Sequence, residues 1–260
     1  MKIVRLGILR GKIEIKQFSR QKESVIFTLF FPLLLLVVFA SVLNKTISTG
    51  VTFSQYFLAG LVASGMVNSG FQQLAINIPT ERDNGALKRL RGTPMSPISF
   101  FIGKAILVFV AMILQIFLLL LFGTVLYHLH LPHSAALWLR FTWLVLLGSA
   151  CSTVLGIALA GVIKTGRGAP AIVSPFIVLL QFISGVFFQY STLPKWMQQF
   201  AAFFPLKWLT QGMRSVFLPS GFAAQEVAHS WEIGKTALVL IAWLAAGTFL
   251  AVRSFKWSRQ

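Results

Sequence analysis

Long apolar runs, interrupted by short polar segments, dominate this sequence. Residues 25–43 carry no charged side chain, and residues 98–127 carry only one, Lys104. About 20 apolar residues in a helix are enough to cross the hydrocarbon core of a bilayer, which is about 30 Å thick. The chain is 56% hydrophobic and 11% charged, whereas about a quarter of the residues of a soluble domain are charged. The sequence therefore predicts an integral membrane protein.

The positions of the apolar runs predict six transmembrane helices in a single all-α membrane domain that covers residues 1–260. Pro32, inside the first span, is compatible with a helix if neighbouring helices satisfy the freed backbone groups. The predicted spans are residues 25–43, 55–78, 98–127, 137–163, 170–188 and 233–252.

The segment before the first span, residues 1–24, is strongly basic. Apolar residues such as Ile3, Leu6 and Ile13 lie between its basic residues at spacings compatible with one helical face. This pattern predicts an amphipathic helix on the inner membrane surface. The alternative is a disordered basic tail. The basic residues are Lys2, Arg5, Arg10, Lys12, Lys16, Arg20 and Lys22.

The stretch between the fifth and sixth spans resembles neither a span nor an ordinary loop. It consists of two apolar, aromatic pieces, residues 194–204 and 205–218, and each begins at a proline. Both are too short to cross a bilayer. Tryptophan and basic side chains such as Trp196, Trp208, Lys207 and Arg214 are typical of a membrane–water interface. We therefore predict a re-entrant helical hairpin on the outer side, at residues 194–218.

The basic residues are distributed unequally between the two sides of this topology. Seventeen of the 23 Lys and Arg residues lie on the side of the termini, including Lys256 and Arg259. Cytoplasmic segments carry an excess of such residues, so both termini are predicted to be cytoplasmic. The net charge of +17 thus indicates contact with anionic lipid, and no nucleic-acid partner is expected. The six outer basic residues are Lys45, Arg140, Lys195, Lys207, Arg214 and Lys235.

A short polar segment, residues 79–97, joins the second and third spans. Pro79 precedes its charged residues and Pro94 and Pro97 follow them, which separates a helix here from both neighbours. Gly85 allows a sharp turn of the backbone. A helix from Arg82 to Arg91 would be about 15 Å long. That length suits a rod that lies under the membrane and contacts a soluble partner.

The residues from Glu81 to Pro94 resemble the signature loop of bacterial ABC-2-type transporter permeases, and the similarity extends over nearly the whole chain. Asp83, Ala86, Lys88 and Gln189 depart from the family pattern. The matching residues in the loop are Glu81, Arg82, Gly85, Leu87, Leu90, Thr93 and Pro94, followed by Phe101–Lys104. A second group of matches comprises Ser184–Phe188, Leu193, Pro194, Trp196, Phe204–Leu206, Gly212 and Arg214.

The resemblance implies a membrane subunit that works with a separate ABC ATPase. ATP and Mg²⁺ would then be bound by that partner, and this chain would hold no cofactor. The complex would contain two membrane domains, most simply a homodimer, in a bacterial cytoplasmic membrane. Residues 79–97 would form a coupling segment that inserts into the ATPase; the alternative is an ordinary basic loop. The candidate coupling residues are Glu81, Arg82, Gly85, Leu87, Lys88, Arg89 and Arg91.

The second predicted span is unusually rich in amide and hydroxyl side chains. Asn68 and Gln72 are four residues apart, as are Ser69, Gln73 and Asn77, so they share one side of a helix. These groups predict either the wall of a polar cavity or hydrogen bonds between helices. We take the cavity as the working hypothesis. The candidate substrate-path residues are Ser64, Asn68, Gln72, Gln73, Asn77, Gln181 and Ser184.

No pattern of catalytic or metal-binding residues is evident in the sequence, so an enzyme is not predicted. All six acidic residues lie outside the spans or at their ends, and His128, His130 and His133 have no carboxylate or cysteine near them in the sequence. The segment 161–168 superficially resembles a phosphate-binding loop, but it has Arg167 and Gly168 where lysine and a hydroxyl residue are required.

The most economical function is export of an amphiphilic, drug-like or lipid-like molecule driven by a partner ATPase. Two alternatives remain: export of a polysaccharide or glycolipid by a permease of the same superfamily, and an ATP-independent channel or intramembrane enzyme. An enzyme would need ionisable residues within the spans, and a channel would need no coupling segment. In the exporter, the outer hairpin would close the external mouth. The candidate gate residues are Phe187, Phe188, Pro194, Trp196 and Pro205.

Overall fold

The computed structural model describes residues 2–43, 46–48 and 50–255. Lys45, Lys256 and Arg259, three of the basic residues used to predict the topology, lie outside the described residues. The described helices are α1 (Lys2–Arg20), α2 (Lys22–Val42), α3 (Phe53–Val67), α4 (Gln73–Asp83), α5 (Ala86–Arg91), α6 (Pro97–Tyr127), α7 (Ala135–Val162), α8 (Ala169–Ile183), α9 (Lys195–Phe203), α10 (Pro205–Phe217) and α11 (Ile233–Ser254). A π-helical turn (Asn68–Gln72), two 3-10 turns (Tyr190–Thr192 and Ser220–Gln225) and an antiparallel strand pair, β1 (Thr46–Ser48) and β2 (Val51–Thr52), complete the described structure.

Among the described residues, four helices are long and apolar enough to cross a membrane, namely α2, α6, α7 and α11. Together with the almost wholly helical content, they confirm the predicted class, an all-α membrane protein. Large apolar side chains cover the outside of these helices: Phe27 is 66% exposed, Leu139 is 70% exposed and Leu238 is 68% exposed. Extensive apolar surface of this kind marks contact with a membrane or a partner protein.

The second predicted span, 55–78, belongs to a longer helical stretch made of α3, the π-helical turn and α4. The prediction that Pro79 separates this span from the coupling segment was wrong, because Pro79 lies inside α4. A proline in a helix interior costs about 3 kcal/mol. Here Arg82 and Asp83, in the turn that follows, form hydrogen bonds to the segment after α7. These tertiary contacts hold the helix together beyond the proline.

Helix α8 is shorter than the predicted fifth span, 170–188. It ends at Ile183, and the chain turns at Gly185, whose φ is +78°. Residues with a side chain rarely adopt this left-handed conformation. Residues 184–188 therefore link α8 to the 3-10 turn at Tyr190–Thr192 and do not extend the helix.

The stretch from α3 to α4 lies at the centre of the helix bundle, where it contacts α2, α6, α7 and α10. It approaches α7 closely at two glycines: a Cβ atom on Gly156 would lie 2.6 Å from the carbonyl oxygen of Gly70. Small residues allow helix backbones in membrane proteins to approach this closely. Around this centre, α1 packs along α6 and α11 packs along α7.

Helix α1 turns small and charged residues toward α6 and leaves apolar residues on its outer surface. A Cβ atom on Gly7 would lie 2.6 Å from the Ile102 side chain, while Arg10 and Glu14 are buried beside it. Ile13, in contrast, is 49% exposed. An apolar outer surface beside basic residues suits a helix that lies in a membrane interface.

Between α8 and α11, the chain forms the two short helices α9 and α10. The residues of α10 from Leu206 to Phe217 are all buried. Lys207, Trp208 and Arg214, which the sequence placed at a membrane–water interface, are each at most 7% exposed, so they contact other parts of the protein and not the surrounding lipid or water. Their polar groups have partners inside the protein. The Trp208 indole, for example, donates a hydrogen bond to the carbonyl of Ala202 at 2.7 Å.

Candidate functional site

A cluster of charged side chains joins α1, α4 and α6 at the start of the coupling segment. The ammonium group of Lys104 lies 2.9 Å from a carboxylate oxygen of Glu14 and also contacts Glu81, and Arg10 pairs with Glu14. The Lys104 side chain is only 2% exposed. Lys104, the one charged residue of the predicted third span, is thus buried between two carboxylates. We call Arg10, Glu14, Glu81 and Lys104 the ion cluster.

The protonation of Glu81, a member of the ion cluster, depends on its surroundings. Burial raises the pKa of Glu81 above its usual value, the nearby Lys104 ammonium opposes this rise, and the Glu14 carboxylate adds to it. The negative charge on Glu81 therefore depends on contact with Lys104. A movement of α4 relative to α6 that separated the two groups would favour the neutral carboxyl.

Arg82 and Asp83 attach the coupling segment to the segment that connects α7 and α8. Arg82 donates hydrogen bonds to the carbonyls of Ala160 and Ile163 at the carboxyl end of α7. A cation is favoured there because the last carbonyl groups of a helix lack partners and carry partial negative charge. The Asp83 carboxylate accepts a hydrogen bond from the Gly166 amide at 2.6 Å. This arrangement also opposes phosphate binding at residues 161–168, since an anion there would meet a carboxylate.

The rest of the coupling segment turns back on itself. The predicted single helix from Arg82 to Arg91 was wrong: α4 ends at Asp83, and α5 begins at Ala86. Between them, Gly85 has a φ of +73°, which breaks the helix. Leu87 is completely buried and anchors α5 to the protein. Of the predicted coupling residues, Glu81, Arg82 and Leu87 pack against other elements of this protein. The exposed coupling residues are Lys88, Arg89 and Arg91.

The predicted substrate-path residues form a row of hydrogen bonds between the central helical stretch and α8. The Gln181 amide donates to Asn68 at 2.8 Å, and Gln72 donates to the Ser174 hydroxyl at 3.2 Å. Asn68 also donates to Ser64 at 3.4 Å. We call Ser64, Asn68, Gln72, Ser174 and Gln181 the amide seam. The seam is closed by these direct contacts in this structure.

Other predicted substrate-path residues lie at the two ends of this row. Gln73 and Asn77 line a polar pocket of about 180 Å³, together with Glu14, Glu81 and Lys104 of the ion cluster. Ser184 is completely buried at the opposite end, and its hydroxyl has no hydrogen-bond partner within the described part of the chain. The structure thus joins Ser64, Asn68, Gln72 and Gln181 through the amide seam, and places Gln73 and Asn77 beside the ion cluster and Ser184 just after α8.

Two of the predicted gate residues lie near each other beyond the end of α8. Phe187 belongs to a cluster of aromatic rings, with centroids 6.0 Å from Phe39, 5.9 Å from Phe57 and 4.9 Å from Phe182. The neighbouring Phe188 is 52% exposed. These contacts bring rings from α2, α3 and α8 together around Phe187.

The remaining predicted gate residues lie in or next to α9 and α10. Pro194 immediately precedes α9, and Trp196 is 65% exposed on the first turn of that helix. Pro205 is the first residue of α10 and faces an apolar pocket.

A buried ion pair that sequence reasoning missed holds α10 in place. Arg214 is completely buried and forms two bonds to Glu226, of 2.6 Å and 3.2 Å. It also donates to the Gly185 carbonyl at 3.3 Å and lies 5.0 Å from the centre of the Tyr56 ring. The Tyr56 hydroxyl in turn donates to the Phe188 carbonyl at 3.3 Å. We call this arrangement the Arg214 cluster; it joins α3, the end of α8 and α10.

The chain's scarcity of acidic residues was the signal that could have revealed these pairs. Only six residues are Asp or Glu. Four of them, Glu14, Glu81, Glu226 and Glu232, form ion pairs with basic residues. Buried charges are tolerated only when they are paired, so each acid close to an apolar run was a candidate partner for a basic residue. The sequence did not indicate which base each would contact.

Comparison with known proteins agrees with this architecture. The model of the family described as ABC-2 type transporter matches residues 10–218. "Putative transport permease YvfS" of Bacillus subtilis (strain 168) is 23% identical over 192 residues, which cover 74% of this chain and 77% of that protein. "Putative transport permease ycf38" of Cyanophora paradoxa is 24% identical over 254 residues, which cover 92% of this chain and 85% of that protein. The matched region contains the ion cluster, the coupling segment, the amide seam and Arg214, and the chain therefore belongs to the ABC-2 type transporter family.

Proposed function

We propose that this chain is the membrane subunit of an ATP-driven exporter that moves an amphiphilic, drug-like or lipid-like molecule out of the cytoplasm or the inner leaflet. Proteins of its family usually work with an ATPase partner. In this proposal, the partner subunit binds ATP and Mg²⁺ and hydrolyses the nucleotide, and two copies of this chain form a homodimer. The complex works in a bacterial cytoplasmic membrane with both termini of the chain in the cytoplasm.

The proposed topology has six spans and an outer re-entrant hairpin. The helical stretch 53–83 is about 46 Å long, at about 1.5 Å per residue, and this length supports a second span that continues into the coupling segment. Helix α8 is only 15 residues long, about 22 Å, so the proposed fifth span would be a short helix that ends in the turn at residues 184–188. Helices α9 and α10, of 9 and 13 residues, are each too short to cross.

The main support for the proposal is that one side of the coupling segment contacts the membrane domain while the other side is exposed. On one side, Glu81 contacts Lys104 of α6, which also pairs with Glu14 of α1, and Arg82 and Asp83 contact the segment after α7. On the other side, Lys88 and Arg89 are exposed on α5. A force applied to α5 would therefore reach three separate parts of the membrane domain through short polar contacts. This is the arrangement that a coupling element between an ATPase and a transport path requires.

The amide seam and the aromatic cluster mark the proposed path. Closed interhelical bonds, such as the one from Gln181 to Asn68 at 2.8 Å, would open when α8 moves away from the central stretch. Each such bond contributes about 0.6 to 2 kcal/mol in a membrane, so the few bonds of the seam can be broken at a cost that ATP hydrolysis can supply. The aromatic cluster around Phe187 would then close the external end.

A charge-reversal experiment tests this function. The double variant Lys88→Glu, Arg89→Glu should lose the ATPase subunit that copurifies with the tagged wild-type chain, because the exposed basic side of α5 is the proposed contact. The matched control is Lys12→Glu, Lys16→Glu, which reverses two exposed charges on α1. Equal recovery of the ATPase subunit with both double variants, or equal loss with both, would refute the coupling role.

A further inference from the structure

A large apolar pocket lies between α8 and α11, separate from the amide seam. Its volume is about 500 Å³, within the range of about 300 to 1,000 Å³ that is usual for ligand sites. Residues of α7 and of the central stretch α3–α4 also line it, as do residues at the junction of α9 and α10. We call it the tail pocket. The lining residues used below are Ser152, Ile172, Phe176, Phe204 and Trp243.

The wall of the tail pocket is almost free of available polar groups. Its two polar side chains are Ser152, which is 3% exposed, and Trp243, whose indole nitrogen already donates to the carbonyl of Phe203 at 2.7 Å. Phe176 and Phe204 pack with a centroid distance of 5.7 Å and add aromatic surface. Water does not fill such a space, since apolar cavities of about 150 Å³ stay dry and bind small hydrocarbons. The occupant must therefore be apolar.

The depth of the pocket indicates which part of a membrane molecule fits it. Trp243 lies ten residues after Ile233, the first residue of α11, which is about 15 Å along the helix axis. That distance is about half of the 30 Å hydrocarbon core. Phe176 is likewise near the middle of α8. A molecule with its headgroup at the membrane surface would reach this level only with the far end of its hydrocarbon chain.

The mouth of the pocket gives such a chain a route from the surrounding lipid. Ile172 on α8 is 61% exposed, and Trp243 on α11 is half-buried. The exposed surface of α11 is apolar, with Ile241 56% exposed and Leu238 68% exposed. Of the four candidate spans, α11 also has the smallest buried share, 22% of its most apolar stretch. Lipid therefore has direct access to the mouth.

From these observations, we propose that the tail pocket binds the distal part of an acyl chain of a bilayer phospholipid. The same helix, α8, contacts the amide seam through Ser174 and Gln181. A bound acyl chain would therefore pack against α8 and hold this helix against the amide seam. The proposal does not depend on the exported substrate or on the ATPase partner.

Photochemical labelling in lipid nanodiscs tests the proposal. The full-length chain is reconstituted in phosphatidylcholine doped with a phospholipid that carries a diazirine near the end of one acyl chain, with no other amphiphile present. After illumination, mass spectrometry locates the labelled residues. We expect several-fold more label on Phe176 and Trp243 than on the exposed α6 residues Phe117 and Val125, which are 60% and 64% exposed. Equal or lower labelling of the pocket, as expected if a second copy of the chain covers it, overturns the proposal.

A blocking variant gives a second, independent readout. Ile172→Trp places a large side chain at the mouth and should reduce pocket labelling several-fold. Ile241→Trp makes the same substitution at a similarly exposed position outside the pocket and should leave pocket labelling unchanged. Undiminished labelling in a folded Ile172→Trp variant contradicts the proposal. If that variant does not fold, as judged by its melting, the labelling pattern of the wild type decides alone.

Discussion

Removal of Glu226 should destabilise this protein more than removal of any exposed acid. In Glu226→Ala, the guanidinium of Arg214 loses both of its carboxylate bonds, of 2.6 Å and 3.2 Å, while it stays completely buried. The Gly185 carbonyl, at 3.3 Å, and the Tyr56 ring remain, but neither neutralises the charge. Removal of one partner from a buried ion pair typically costs about 3 to 5 kcal/mol.

This cost is large relative to the stability of the folded state. Folded proteins are usually stable by about 5 to 15 kcal/mol, and for chains of about 150 to 250 residues each kcal/mol lowers the melting temperature by about 2 to 4 °C. We therefore expect Glu226→Ala to lower the melting temperature by about 6 to 20 °C. The measurement is thermal unfolding of the detergent-solubilised chain, followed by fluorescence-detected size exclusion.

Two further variants decide whether the unpaired charge is the cause. Glu23→Ala removes an exposed carboxylate on the first turn of α2 and should leave the melting temperature almost unchanged. The double variant Arg214→Met, Glu226→Met removes both charges and should recover most of the loss, because apolar residues often replace a buried ion pair without cost. Equal melting temperatures of Glu226→Ala and Glu23→Ala, or a double variant that melts below Glu226→Ala, would show that the unpaired charge of Arg214 is not the cause.

Two smaller changes separate structural from functional polar groups. Gln72→Leu should lower the melting temperature, because the hydrogen bond from Gln72 to Ser174, worth about 0.6 to 2 kcal/mol, is lost. Gln73→Leu, in the polar pocket, should leave the melting temperature unchanged but alter substrate-stimulated ATPase activity. Equal melting temperatures of the two variants would contradict this division. Burial opposes the ionisation of Glu232, but bonds from Lys235 and the nearby Lys207 outweigh burial and lower the pKa of Glu232 below 4.5. Its carboxylate therefore stabilises the fold at neutral pH, and this contribution is lost as the pH falls through the lowered pKa. The difference in melting temperature between wild type and Glu232→Gln should accordingly shrink in acid, and a difference that is constant with pH would contradict the assignment.

The sequence by itself determined the class of this protein, an all-α membrane protein of the ABC-2 type transporter family. Hydropathy is a property of a continuous stretch of chain, so runs such as 98–127 can be recognised without any knowledge of their neighbours. The family motif at Glu81–Pro94 is equally local. For the same reason, the predicted third span agrees with α6 to within a residue at its start.

Only the tertiary structure decided which polar groups meet and which way the coupling segment turns. Lys104 contacts Glu14, 90 positions away in the sequence, and Arg82 contacts the carbonyl of Ile163, 81 positions away. Such pairs depend on how whole helices are oriented and packed against each other, and no local sequence pattern encodes this arrangement. The continuation of α4 past Pro79 has the same origin, since tertiary hydrogen bonds from Arg82 and Asp83 outweigh a local preference to end the helix. Long-range packing energy thus overrides local propensity where the chain connects its membrane helices to the coupling segment.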